Sequence, residues 1–84
     1  MQPEVYFVIT FDSLFLALRF EEVASKYNHQ VKMIPVPRQI RTSCGLAARV
    51  HQDSITAMRA LCDEKSIAYE HIYQFSAETC TRVL

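Results

Sequence analysis

With one glycine in 84 residues, no tryptophan and three prolines, the chain has little material for loops that depend on backbone freedom. A phosphate cradle built on repeated glycines is excluded, because Gly45 stands alone. Excess charge is lacking too. Nine basic and nine acidic side chains give a formal net charge of +0, so no global field draws the chain to nucleic acid or anionic lipid. The densest basic candidate, Arg38 with Arg41, amounts to two charges. No window approaches the roughly 20 apolar residues of a membrane span, and the first residues lack a basic stretch leading into an apolar run. The expectation is a cytoplasmic chain with no membrane and no nucleic-acid partner.

Cysteine is scarce as well. Cys44, Cys62 and Cys80 are an odd count at equal intervals of 18, which matches neither a zinc-ligand pattern nor a secreted disulfide framework. His29, His51 and His71 stand apart, without the short spacing that places two imidazoles on one metal. Neither a metal site nor a cofactor is expected. Paired carboxylates and a serine elbow are missing, so hydrolase chemistry has nowhere to start.

What remains is globular: 50% of the residues are apolar and 21% charged. A chain this short supports one core, giving a single domain over residues 1–84, with a core of about 4–75 and a tail over 76–84. Residues 5–11 are β-branched and aromatic without a charge, the mark of a central strand. Asp12 or Ser13 caps a helix reaching about Tyr27, with Leu16, Phe20, Val23, Ala24 and Tyr27 on its core face. Leu14 and Leu18 fall on the opposite side. They read either as scattered surface leucines or as a self-association or partner surface.

Residues 30–34 form a second strand that Pro35 and Pro37 end. Residues 46–50 form a third, weakened by its alanines. Asp53 caps a second helix over 54–65, with Ile55, Met58, Leu61 and Cys62 inward, and residues 67–74 supply a fourth strand. Residues 75–84 are too polar and short to assign. The order β-α-β-β-α-β predicts a ferredoxin-like α+β sandwich, a four-stranded antiparallel sheet with two helices on one face. The other face is left for a dimer partner, the tail or a ligand.

Chemistry concentrates in residues 35–45, Pro-Val-Pro-Arg-Gln-Ile-Arg-Thr-Ser-Cys-Gly, which connect the second and third strands. A thiolate is the reactive form of cysteine and is favoured by nearby cations and donated N–H groups. Arg38 and Arg41 can supply the first and Ser43 a hydroxyl. Gly45, able to take positive φ or approach an anion closely, can turn backbone N–H groups toward the sulfur. The alternative is a structural Cys44 at a strand entrance, a Gly45 serving only a turn, and two solvated arginines. Cys62 reads as a buried helix residue. Cys80 is a resolving thiol only if the tail folds back toward Cys44.

The proline-arginine run followed by Ser43-Cys44-Gly45-Leu46, together with Ile9-Thr10-Phe11, residues 31–34 and residues 69–73, resembles the DUF3343 family of selenium/sulfur carrier-like proteins. The resemblance covers roughly Tyr6 to Tyr73. It implies a carrier rather than a true enzyme, holding sulfur or selenium on Cys44 as a persulfide or selenosulfide. Its partners would be a donor and an acceptor protein. Pro37, Arg38, Ser43, Cys44 and Gly45 are the positions on which the motif falls, and this chain lacks the Cys-Pro pair found in other small sulfur-relay proteins. The competing expectation is a non-enzymatic homodimer or regulatory module acting through Leu14, Leu18 and the open sheet face, with the cysteine incidental.

Overall fold

In the computed structural model, which describes residues 4–29, 31–42, 44–77 and 79–84, five strands and two helices follow one another in the order β-α-β-β-α-β-β. β1 (Val5–Thr10) lies at the centre of the sheet, as its uncharged, β-branched and aromatic run predicts. It pairs antiparallel on one side with β3 (Leu46–His51) and on the other with β4 (His71–Ser76). β2 (Lys32–Pro35) flanks β3, β5 (Thr79–Arg82) flanks β4, and the order is β2-β3-β1-β4-β5.

The α+β class and the two helices are as expected, but the sheet has five strands instead of four. The missing strand is in the segment left unassigned. Cys80, its one partly buried residue, faces Phe75, while Thr79, Thr81 and Arg82 are exposed. An edge strand held by backbone pairing, with one face in water, carries no strong hydrophobic alternation. β4 also starts later than expected: Ile67 and Tyr69 precede it and pack against the helix-side core, whereas Tyr73 lies on the opposite face.

The first helix, α1 (Leu14–Lys26), begins at Ser13, whose hydroxyl accepts from the Leu16 N–H at 3.3 Å. Ala17, Phe20 and Ala24 are buried, Leu16 and Val23 partly so, and Tyr27 turns out to be exposed. The second helix, α2 (Ile55–Glu64), is not capped by Asp53. Residues 52–54 form a 3-10 turn in which the His51 ring accepts from the Asp53 N–H, and Ser54 holds the N-cap position without a side-chain bond. Both helices pack on one sheet face around Ile9, Phe11, Ala48, Val50 and Ile72, with Met58, Leu61 and Cys62 from α2. At the helices' ends the Lys65 ammonium lies 4.8 Å from the centre of the Tyr27 ring.

The alanines that weaken β3 as a sequence signal have a packing role. Ala48 is fully buried on the helix side and Ala47 on the other, and small side chains there let both layers approach the strand closely.

The left-handed backbone conformation occurs at Asn28 (φ 63°), Ser66 (φ 56°) and Ala77 (φ 54°), and not at Gly45. Asn28 and Ser66 each follow a helix. The next residue then donates backward, His29 to the Ala24 carbonyl at 2.8 Å and Ile67 to that of Cys62 at 2.9 Å. That is the Schellman arrangement, which usually recruits glycine. In a chain with so little glycine, other residues bear the strain.

Candidate functional site: the Cys44 rim of the sheet

Antiparallel pairing brings the C-terminal ends of β1 and β2 and the N-terminal ends of β3 and β4 to one rim of the sheet. The connection between β2 and β3 crosses this rim, and α1 starts there. Cys44 lies two residues before β3. It is only 7% exposed, its thiol donates to the Leu46 carbonyl at 3.4 Å, and its N–H donates to the Thr42 hydroxyl at 3.4 Å. Cys44 is thus almost covered, yet it belongs to neither apolar cluster. The thiol is a hydrogen-bond donor to the backbone of β3.

Arg38 and Arg41 are both exposed and, among the described residues, make no ion pair or side-chain hydrogen bond. Ser43 lies outside the described residues. Of the roles open to Gly45, a positive φ is not the one it takes. Its carbonyl accepts from the Val36 N–H at 3.2 Å, continuing the β2–β3 pairing by one step, and a Cβ there would meet nothing within 4 Å. The turn needs no left-handed residue at this point because the β2–β3 connection is long enough to reverse elsewhere.

The residue that sequence reasoning passed over is Ile40. It is 6% exposed and packs with Val8, Ala47 and Phe75 on the sheet face away from the helices, joined by Val36 and Ile34. The expected open face is therefore partly closed by the β2–β3 loop itself. A single β-branched residue among prolines, arginines and polar neighbours shows no periodicity, which is why its burial went unread. On the same face Tyr6 stacks on Phe75, with ring centres 5.2 Å apart, and the Arg49 guanidinium lies 3.9 Å from the Tyr6 ring centre while pairing with Glu4.

A second unanticipated group at this rim is Glu70, just before β4. Its N–H donates to the Thr10 carbonyl, and its Oε1 is sealed from solvent without a hydrogen-bond partner among the described residues. Beside it the Thr10 hydroxyl, fully buried, accepts from the His71 N–H at 3.2 Å and donates to the His71 carbonyl at 3.3 Å.

The remaining thiols differ in kind. Cys62 is 1% exposed in the helix-side core, where burial, helped by the neighbouring Asp63 carboxylate, pushes its pKa up to about 11. Cys80 is half-buried on β5, and burial raises its pKa. No disulfide joins Cys44 and Cys80, which are both free. β1 and β4 separate β3 from β5, roughly 14 Å at ordinary strand spacing, about twice the Cα separation a disulfide spans.

Leu14, Phe15 and Leu18 at the start of α1 are 55%, 73% and 47% exposed. They form an apolar surface at the end of the helix nearest the rim. Phe15, the most exposed, belongs with the two leucines singled out from the sequence. No helix among the described residues is long and apolar enough to cross a membrane.

A family model described as "Putative Se/S carrier protein-like" matches residues 6–74. The match runs from β1 into β4, includes Cys44 and Cys62, and leaves β5 with Cys80 outside. No curated protein and no solved structure matches the chain.

Proposed function

Because the chain belongs to the Se/S carrier protein-like family, we propose that it holds sulfur or selenium on the Cys44 side chain and passes it to a partner protein. One observation carries the choice of residue: of the two cysteines in the matched span, Cys62 is packed into the helix-side core from α2, while Cys44, though only 7% exposed, belongs to neither apolar cluster and lies on the β2–β3 connection at the sheet rim. Cys80 falls outside the match.

The chemistry needs no cofactor. Cys44 first gives up its proton, which releases the Leu46 carbonyl. The thiolate then attacks the terminal sulfur of a donor protein's persulfide. The new S–S bond forms on Cys44 as the donor's own S–S bond breaks, and the donor cysteine leaves as a thiolate with the electron pair and takes up a proton. The sulfane sulfur moves without net oxidation, and a selenosulfide would form by the same displacement on a selenium-bearing donor. The persulfide is more acidic than a thiol, and Arg38 and Arg41 of the same connection, whose guanidinium groups make no ion pair among the described residues, would supply cations to balance its charge. The Gly45 backbone and the Ser43 hydroxyl would add donors. An acceptor thiolate repeats the displacement in the opposite sense.

Incubation with a cysteine desulfurase and cysteine, followed by intact-mass measurement, tests this. The native chain gains one sulfur atom and Cys44→Ala gains none; equal gain by both rejects Cys44 as the carrier.

The exposed Leu14, Phe15 and Leu18 favour a second reading, a homodimer or docking module acting through α1. The two readings are compatible if the surface receives the donor or acceptor protein.

A further inference from the structure

We propose that a groove at the end of the sheet remote from Cys44, on the face away from the helices, binds a small phosphate monoester. The proposal does not depend on the carrier reading. Strand register places its parts. Lys32 and Arg49 stand directly opposite each other in the β2–β3 pairing. Side chains alternate along a strand, so Lys32 shares the face of Ile34 and Arg49 that of Ala47, both on the side away from the helices. His51 follows Arg49 by two residues and shares its face, and Glu4 joins them as the ion-pair partner of Arg49. Glu4, Tyr6, Val31, Lys32, Arg49 and His51 together line an open groove of about 320 Å³.

Like charges directly opposite each other on one face repel, and Glu4 is the carboxylate that lines the groove with Lys32 and Arg49. Arg49 is held in position. Its guanidinium lies 3.9 Å from the centre of the Tyr6 ring, which stacks in turn on Phe75, and it bonds Glu4 through Nη2. A guanidinium is a fork of several N–H donors, so the pair with Glu4 leaves others for a ligand. The His51 Nδ1 accepts from the Asp53 N–H at 3.1 Å, and the Asp53 carboxylate also faces that nitrogen, at 3.5 Å. A neutral ring accepting at Nδ1 carries its proton on Nε2, which can donate.

A lone lysine on an edge strand is an ordinary guard against strand pairing, but Lys32 is one of several donors from two strands around one opening. A tetrahedral oxyanion presents oxygens in several directions to such a set, where a carboxylate presents them in one plane. A phosphate monoester also brings a charge of roughly −1.5 to −2 near neutral pH, which offsets the cation that Glu4 leaves unbalanced. Bare phosphate displaces only a few waters, each about 30 Å³, and so fills part of the groove. Tyr6 and Val31 give the remainder an apolar wall, which favours an ester with a small apolar group over the inorganic ion.

The test is titration of the nitrogen-15-labelled chain with phenyl phosphate and, separately, with inorganic phosphate, each against sodium chloride at matched ionic strength, read from amide chemical shifts. Phenyl phosphate should give saturable shifts centred on Lys32, Arg49 and His51, with half-saturation at a lower concentration than inorganic phosphate. Lys32→Ala changes an exposed residue, so without ligand it should leave the denaturation midpoint in place. It should weaken phenyl phosphate binding by about tenfold, the scale of one charge-assisted hydrogen bond. Shifts that chloride reproduces, or that fall on Arg38, Arg41 and Arg59 as strongly as on the groove, mean charge screening without a site and overturn the proposal. Undiminished binding by Lys32→Ala overturns it too, and equal binding of the two phosphates overturns the choice of an ester. Sulfur loading of Cys44 should be the same in Lys32→Ala as in the native chain, so failure of either reading leaves the other standing.

Discussion

The Cys44 thiol donates its only hydrogen to the Leu46 carbonyl oxygen, 3.4 Å away. A carbonyl accepts from a thiol and offers nothing to a thiolate, so the contact exists only while the sulfur is protonated. Together with 7% exposure, it describes a resting state closed to bulky electrophiles. Cys44 in the folded chain should therefore react with an alkylating probe at least roughly tenfold more slowly than in urea, the protection expected where reaction requires local opening. Equal rates in the two states would mean that the thiol is already free.

Cys62 gives a pH dependence with a definite sign. Its folded pKa is raised from 9.0 to about 11, first by burial and then by Asp63. The unfolded chain loses this proton near pH 9 while the folded chain keeps it. The contribution to stability is complete below pH 9 and is lost as pH rises toward 11. Urea midpoints measured across that window should fall for the native chain and fall less steeply for Cys62→Ala. Cys62→Ala should also cost about 1–2 kcal/mol at neutral pH through the cavity it leaves.

Ser66 and Asn28 sit in the left-handed conformation after their helices. Ser66→Gly removes the Cβ penalty there and should raise stability by about 1 kcal/mol, partly offset by the freedom glycine adds to the unfolded chain. Asn28→Ala should lower it by a similar amount. The same change at Gly45, Gly45→Ala, meets open space and no left-handed φ and should be close to neutral. Thermal or urea denaturation of the three variants checks the ordering.

The apolar start of α1 predicts an effect on association and not on folding. Leu18→Glu and Phe15→Glu replace residues 47% and 73% exposed, so the denaturation midpoint should shift by less than about 0.5 kcal/mol. If α1 is an interface, size-exclusion with light scattering will show a larger mass for the native chain than for either variant. A monomer in all three would leave the surface to another protein.

Much of this architecture was legible in the residues. β1 announced itself by a run from Val5 to Thr10 free of charge and breakers, and α1 by Ser13 and the spacing of Phe20 and Ala24. Three features were hidden for physical reasons. β5 is held by its pairing with β4 and exposes most of its side chains, so its sequence has no pattern to read. Positive φ, one of the roles open to Gly45, occurs at Asn28, Ser66 and Ala77, whose side chains give no sign of it. Ile40 acts through one long-range contact with β1, β3 and β4 that no local window contains. At the site, the sequence brought Cys44 to notice along with Arg38 and Arg41, but not its burial, because a polar segment without periodicity carries no burial signal.

The central claim is that Cys44 is the residue that holds the transferred sulfur. Its most direct test is peptide mapping of the chain after loading from a desulfurase, with persulfides trapped by alkylation before digestion. The account predicts the extra sulfur on the peptide containing Cys44, with those of Cys62 and Cys80 unchanged. Sulfur found on Cys80 or Cys62 with Cys44 unmodified would contradict it.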